Sequence, residues 1–200
     1  MALAAVAVAD SALYVVLNHG RVAGEMMVIS WRDSVVVKHH HVDRQRGPRS
    51  ETRYRAVNGN VLGGETWTLP LNGPEPLPRS QQGDRFDVVR DTASWAVRDS
   101  VGRAPFSAGT SFFRLRAGTP YEQWLLVRRL LRQPGRTSSL LPSGTARLEI
   151  VADTTLRTPS GRHRLRFAVT YVDATTYPGG SWIDEKGNPY RILNRGRGSM

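Results

Sequence analysis

Short segments in which apolar and polar side chains alternate, or in which β-branched residues dominate, follow one another along most of the 200-residue chain. Turn-forming residues separate these segments, among them Asn58 and Gly59, the strongest short signal for a hairpin. Successive strands joined by such short turns pair as antiparallel neighbours. The predicted strands are Ala12–Leu17, Gly24–Trp31, Ser34–Val42, Ser50–Val57, Leu62–Leu69, Arg85–Arg90, Ala93–Val97, Ser111–Leu115, Ala146–Ala152, Arg164–Val172, Gly180–Asp184 and Pro189–Leu193. We therefore expect a mainly β fold.

One segment, residues 119–133, has the pattern of an amphipathic helix. Pro120 occupies the first helical position, and Pro134 with Gly135 ends the helix. Its predicted apolar face comprises Tyr121, Trp124, Leu125, Val127, Leu130 and Leu131, and its predicted polar face comprises Arg128, Arg129 and Arg132. Because the helix must bury its apolar face against a sheet, we expect a curved antiparallel sheet or half-open barrel packed on this helix. A short helical turn is expected at Ser138–Leu141.

The chain length and the lack of internal repeats predict a single β-rich domain over residues 12–193, followed by a tail over residues 194–200. The apolar start of the chain has two interpretations. Ala7, Val8 and Ala9 resemble a signal-peptidase site, which would make residues 1–11 the remnant of a signal peptide and the protein periplasmic or secreted. Alternatively, these residues lead into the first strand, and the protein is cytoplasmic. No apolar run approaches the roughly 20 residues of a membrane-spanning helix.

The charge of the chain invites a nucleic-acid interpretation, but its distribution argues against one. The formal net charge is +11, and Lys38 and Lys186 are the only lysines, so 26 of the 28 basic residues are arginine. These arginines are scattered along the chain instead of forming one basic arm. An arginine-rich, solvated surface accounts for them without a nucleic acid as partner.

Three consecutive histidines form the first candidate site. On a strand, His39 and His41 share a face with Asp43, while His40 points to the opposite face with Lys38. A His-x-His pair followed by an aspartate is a plausible set of metal ligands. The alternative is a polar strand end that runs into a turn.

The segment DRQRGPR, residues 43–49, forms the second candidate site. Its structural interpretation is a rigid turn, in which Asp43 accepts backbone N–H groups and the following Gly-Pro pair changes the chain direction. Its functional interpretation is a docking or anion-binding site built from Asp43, Arg44, Arg46 and Arg49.

The sequence contains no recognised set of catalytic residues. It lacks G-x-S-x-G, a Gly-rich phosphate loop after a strand, and H-E-x-x-H, and the absence of cysteine excludes disulfides and thiolate metal sites. Asp184 and Glu185 are adjacent carboxylates in a predicted hairpin turn, where their side chains diverge. The tryptophans at positions 67, 95, 124 and 182 are expected to pack the core or, alternatively, to line a lipophilic pocket between sheet and helix.

Five segments together resemble a known family. They are YVVLNHGRVAGEMMV (14–28), HHVDRQRGPRSETRYR (40–55), TPYEQWLLVRRLLRQ (119–133), LLPSGTARLEIVADTTL (140–156) and GGSWIDEKGNPYRI (179–192). Their order is similar to the β-rich N-terminal region that precedes the catalytic barrel of some exported bacterial amidohydrolases, with short patterns G-R-x-x-G, D-R-x-R-G-P and W-[IL]-D-x-x-G. The first and last of these hairpins also resemble periplasmic β-proteins of the lipoprotein-carrier-like kind.

The resemblance implies a non-catalytic accessory domain. The catalytic barrel of an amidohydrolase needs roughly 250 residues, and none of its later metal ligands lies in this chain. A divalent metal is therefore expected only in that barrel, the partner in cis of the full-length protein, and no cofactor or catalytic residue is expected in this chain. The alternative function is a stand-alone periplasmic binding protein for a lipophilic ligand.

Overall fold

The computed structural model describes residues 10–18, 21–41, 49–57, 60–69, 83–97, 100–115, 119–159, 161–173 and 178–193. These residues are mostly β, with one α-helix and a strongly curled half-barrel sheet, which confirms the predicted fold class. The strands divide between two sheets. Backbone contacts separate two compact units, one with the described residues up to Pro105 together with Leu115 and Thr119, the other with the remaining described residues. The prediction of one domain over residues 12–193 stays a prediction.

The first unit is an eight-stranded meander. Each strand pairs antiparallel with its neighbour in the chain, and most of these neighbours are joined by short turns. The strands are β1 (Asp10–Asn18), β2 (Arg21–Trp31), β3 (Ser34–His41), β4 (Arg49–Val57), β5 (Asn60–Leu69), β6 (Arg85–Val89), β7 (Thr92–Val97) and β8 (Ser100–Pro105). β8 is absent from the predicted strands, because Gly102 and Pro105 weaken its local signal.

The two faces of this sheet differ in chemistry. Side chains alternate along each strand, and directly paired residues on neighbouring strands point to the same face. One face, termed here the apolar face, carries buried side chains such as Met26, Val37, Phe86 and Ala93. The other, termed the arginine face, carries Arg53, Arg55, Arg85 and Arg103, all of which are exposed.

A row of aromatic and glycine residues crosses the apolar face. The register pairs Tyr54 with Gly64, Gly64 with Phe86, Phe86 with Trp95, and Trp95 with Gly102. Each glycine provides room for a ring: a Cβ on Gly64 would lie 2.7 Å from the Phe86 ring, and one on Gly102 would lie 2.4 Å from the Trp95 ring. In the core of this unit, the Phe86 and Trp95 rings therefore lie over the backbone of strand glycines, an arrangement known from other β-sheets.

A hydroxyl pair provides the polar contact of the same face. Thr52 Oγ1 and Thr66 Oγ1 lie 2.8 Å apart on directly paired residues of β4 and β5, and both side chains are buried. Each threonine satisfies the other, so these polar groups are buried without leaving an unpaired hydroxyl at that position.

The second unit holds a six-stranded sheet. Its strands are β9 (Ser111–Phe113), β10 (Thr137–Leu141), β11 (Thr145–Thr158), β12 (Gly161–Val172), β13 (Gly179–Ile183) and β14 (Pro189–Leu193), in the spatial order 14-13-12-11-10-9. All neighbours are antiparallel except β9 and β10, which are parallel. The helical turn predicted at Ser138–Leu141 is wrong, because these residues form β10 and pair with both β9 and β11.

Helix α1 (Pro120–Leu131) packs on this second sheet, against β11 and β14. The Trp124 indole N–H donates to the Gly187 carbonyl at 2.9 Å and joins the helix to the β13–β14 hairpin. The prediction that Arg129 lies on the polar face is wrong, because its side chain is buried, as is that of Glu122, seven residues earlier on the same side of the helix. The buried side of the helix is therefore wider than its predicted apolar stripe. No described helix is long and apolar enough to cross a membrane.

Two adjacent glycines of β5 test this description of the two faces. Gly64→Ala places a Cβ against the rigid Phe86 ring, with Leu115 and Tyr54 at 3.2 Å, whereas Gly63→Ala meets the flexible Asp87 and Arg55 side chains at 3.1 and 3.4 Å. We expect Gly64→Ala to lower the free energy of unfolding by about 1–3 kcal/mol through overpacking.

Gly63→Ala is the matched control, and its free energy of unfolding should change by less than about 1 kcal/mol. Urea denaturation followed by tryptophan fluorescence measures both variants. Equal effects of the two substitutions would contradict the assignment of the faces.

Candidate binding surface

The predicted docking residues lie mostly outside the described part of the chain. Asp43, Arg44 and Arg46 fall within residues 42–48, of which nothing is described. Arg49, the last of the set, begins β4, is exposed, and pairs directly with His40 on β3. The docking hypothesis for this turn stays a prediction.

The histidine alternation is as predicted. The His39 and His41 rings stack on one face, with centroids 6.5 Å apart and planes inclined by 14°. Burial, together with the nearby imidazoles of His41 and His40, lowers the pKa of the His39 imidazole from 6.5 to about 4. Within the described residues, no group of three or more His, Cys, Asp or Glu side chains is arranged to hold a metal. The third predicted ligand, Asp43, lies outside them, so the metal site stays a prediction.

A groove of about 750 Å³ runs over the arginine face of the first unit. We term it the arginine groove. Four arginines and two carboxylates line it, so it carries a net charge of two positive; these residues are Arg53, Arg55, Arg85, Arg103, Glu65 and Asp87. Trp67, Ala96 and Val101 add apolar surface. The groove thus combines cations with an apolar floor.

The register explains why four arginines distant in sequence meet in one groove. They lie on every second strand, namely β4, β6 and β8. One row of paired residues runs Arg55, Gly63, Asp87, Ser94 and Arg103 across five strands. Since neighbouring strands lie about 4.8 Å apart, successive arginine-bearing strands are separated by about 9.6 Å.

Arg55 spans this distance to reach an acidic partner. Its Nη2 donates to Asp87 Oδ1 at 2.6 Å and to the Leu62 carbonyl at 2.9 Å. The intervening residue is Gly63, and the lack of a side chain there lets Arg55 cross β5. Both partners are about half exposed, so the ion pair contributes orientation more than stability.

Arg53, two residues earlier on the same face of β4, is also held by an acidic partner. Its guanidinium lies 2.9 Å from Glu51 Oε1 and 5.0 Å from the centre of the Trp67 ring. The cation–π contact fixes the guanidinium over the indole at one end of the groove.

Arg85 and Arg103 differ from these two. Both side chains are exposed, and neither guanidinium forms a hydrogen bond or ion pair with a described residue. Arg85 pairs in register with Ala96, which in turn pairs with Val101, and Val101 is 83% exposed. Two available guanidinium groups therefore flank a short apolar strip.

The second unit has a larger concavity, of about 990 Å³, lined mainly by hydroxyl groups. Several of these hydroxyls are already engaged within the fold. Ser138 and Ser139 both donate to the Thr110 carbonyl, at 2.9 and 3.1 Å. Arg147 is likewise engaged, because it lies 4.4 Å from the centre of the Tyr171 ring and pairs with Glu149. The arginine groove differs in that two of its charged groups, the Arg85 and Arg103 guanidiniums, form no such contacts.

The adjacent carboxylates Asp184 and Glu185 are turn residues, as expected. Asp184 accepts the Asn188 backbone N–H at 2.7 Å and the Asn188 side-chain amide at 2.9 Å. Of the four tryptophans expected to pack the core or line a pocket, Trp124 is buried in the second unit and Trp67 lines the groove.

The low pKa of His39 predicts a loss of stability in mild acid. The unfolded chain takes up a proton at His39 near pH 6.5, but the folded protein does so only near pH 4. Stability from this residue is therefore complete above pH 6.5 and is lost progressively down to about pH 4. His39→Gln should flatten the fall of the melting temperature over this range.

His163→Gln is the matched control, since His163 is exposed. Thermal unfolding by circular dichroism from pH 7 to pH 4 measures both variants. An unchanged pH dependence in His39→Gln would contradict the burial of that imidazole.

Comparison with family models, curated proteins and solved structures finds no match to this chain. The resemblance to the N-terminal region of exported amidohydrolases therefore stays a prediction. The same holds for export, for the catalytic barrel as a partner, and for the expectation that the chain contains no cofactor.

Proposed function

We propose that this chain is a non-catalytic binding protein whose ligand is an amphipathic anion held in the arginine groove. The observation that carries the proposal is the pair of available guanidinium groups, Arg85 and Arg103, beside the exposed apolar strip of Ala96 and Val101. A ligand with a carboxylate or phosphate head and an apolar tail complements both parts of this arrangement.

The fixed parts of the groove support the same ligand class. Arg55 and Arg53 are held by Asp87 and Glu51, so their positions are set before a ligand arrives. Preorganised donors lose less conformational freedom on binding than mobile ones. Arg85 and Arg103 are the two lining arginines outside these ion pairs, and Glu65, which pairs in register with Arg85, is the lining carboxylate outside them.

This proposal refines the alternative of a lipophilic ligand from the sequence. A wholly apolar ligand would leave the guanidinium groups of Arg85 and Arg103 without a partner and would remove them from water at a cost. An inorganic anion would satisfy them but would not use Val101. The mixed lining therefore favours a ligand that has both an acidic and an apolar part.

The test is calorimetric titration with dodecyl phosphate below its micelle concentration. Replacing both Arg85 and Arg103 by glutamine removes two charge-assisted hydrogen bonds, each worth about 1.5–3 kcal/mol when formed. Since the groove is open to water, we expect the affinity to fall by at least about tenfold, equivalent to about 1.4 kcal/mol.

The matched control replaces Arg157 and Arg162 by glutamine. These arginines are exposed, pair with each other in register on the β11–β12 hairpin, and give the same change of net charge. Their replacement should leave the affinity unchanged. Equal loss in both double variants, or equal affinity of the wild type for neutral dodecyl maltoside, would contradict the proposed function.

A further inference from the structure

The arginine face also carries large apolar side chains that are exposed to water, in β1 and β2. Leu13, Val15, Leu17 and Val22 are 62%, 60%, 51% and 75% exposed, and Met27 and Trp31 are each 38% exposed. We term these six residues the apolar patch. Single exposed apolar residues are ordinary on a soluble protein, whereas a cluster of this kind marks a surface that contacts something other than water.

The register shows that the patch is continuous. Leu13 pairs directly with Met27, and Leu17 pairs directly with Val22. Leu13, Val15 and Leu17 alternate along β1 and point to one face, as do Met27 and Trp31 along β2. The patch therefore covers one face of two neighbouring strands, and β1 is the edge strand of the sheet.

The same register joins the patch to the arginine groove. Trp31 pairs with Ser34 on β3, and Ser34 pairs with Arg55 on β4. Met27 pairs with Lys38. On the exposed face of the eight-stranded sheet, the apolar side chains of β1 and β2 are thus followed by Lys38 on β3 and by arginines on β4. Trp31 lies at the boundary between the two groups.

This order of side chains matches the layers of a lipid bilayer surface. Aliphatic side chains favour the acyl boundary, tryptophan favours the headgroup level, and arginine favours anionic headgroups. We propose that this face binds the surface of an anionic lipid bilayer, with the apolar patch in the interface and the arginine face against the headgroups. The net charge of +11 is complementary to such a membrane.

Two other occupants fit the face less well. A second copy of the chain, packed on it by a twofold axis, would place two arginine-rich faces side by side. A nucleic acid would satisfy the arginines but leave the aliphatic side chains of β1 exposed. Glu25 on β2 is the one acidic residue that pairs into the patch, opposite Val15, and it limits how deeply the patch enters the membrane.

This inference goes beyond the proposed function and does not depend on it. A bilayer engages the patch on β1 and β2, which a single soluble amphiphile in the groove does not need. The two proposals therefore fail separately.

The experiment is co-sedimentation with vesicles in which about one lipid in four is phosphatidylglycerol and the rest is phosphatidylcholine. We expect the wild type to bind these vesicles at least about tenfold more tightly than vesicles of phosphatidylcholine alone, and to be released by salt. Val15→Glu introduces a carboxylate into the patch and should reduce binding by at least about tenfold.

The matched control is Val151→Glu, the same substitution at a valine of β11 that is 53% exposed. It should bind vesicles like the wild type. Val22→Glu provides a second variant within the patch, so that a folding defect in one variant does not decide the result.

Three results would overturn the proposal: equal binding to both kinds of vesicle, no binding to either, or equal loss in Val15→Glu and Val151→Glu. A change from dimer to monomer in Val15→Glu without vesicle binding would assign the patch to a second copy instead. If vesicles bind but dodecyl phosphate does not, the proposed function fails and the bilayer proposal stands. If dodecyl phosphate binds but vesicles do not, the bilayer proposal is overturned and the proposed function stands.

Discussion

Cross-strand register in the eight-stranded sheet is the constraint on which the rest of the first unit depends. Because directly paired residues share a face, one register places Tyr54, Phe86 and Trp95 on the buried side and sends the neighbouring arginines to the exposed side. Gly63 and Gly64 show both consequences in adjacent residues. Gly64 gives room to rings in the core, and Gly63 lets an arginine cross a strand to its acidic partner. A slip of one residue would exchange these roles.

Local sequence patterns predict most of the strands and the helix. They fail for segments whose structure is decided by pairing with residues distant in the sequence. The alternation of side chains predicted most strands, and the proline and apolar pattern predicted α1. Ser138–Leu141 becomes a strand because it pairs in parallel with residues far earlier in the chain, a contact that no local pattern reveals. The strand Ser100–Pro105 depends on its pairing with β7, where Trp95 lies over Gly102. The buried side of α1 includes Arg129 and is wider than the predicted apolar stripe.

The candidate site was harder to predict than the fold. The sequence directed attention to residues 39–49, where chemistry-bearing residues are adjacent in the chain, and the structure describes His39, His41 and Arg49 of that set. The arginine groove joins residues of β4, β6 and β8, so it becomes visible only when the register is known. Short turns fix the register between β4 and β5 and from β6 to β8, but residues 70–84 separate β5 from β6, and β8 has a weak local signal. The sequence alone therefore does not place Arg85 and Arg103 on the face of Arg53 and Arg55. The exposed apolar residues of β1 and β2 have the sequence pattern of ordinary strand residues. The alternation of side chains does not show which face of a sheet is buried and which is exposed to water.

The central claim is that the arginine groove is the binding surface of this protein. The most direct test is a map of backbone amide chemical shifts of isotope-labelled protein during titration with dodecyl phosphate. We expect the perturbed amides to cluster on β4 to β8, around Arg85, Val101 and Arg103, with the amides of the six-stranded sheet unchanged. Perturbations confined to the six-stranded sheet, or spread evenly over both sheets, would contradict it.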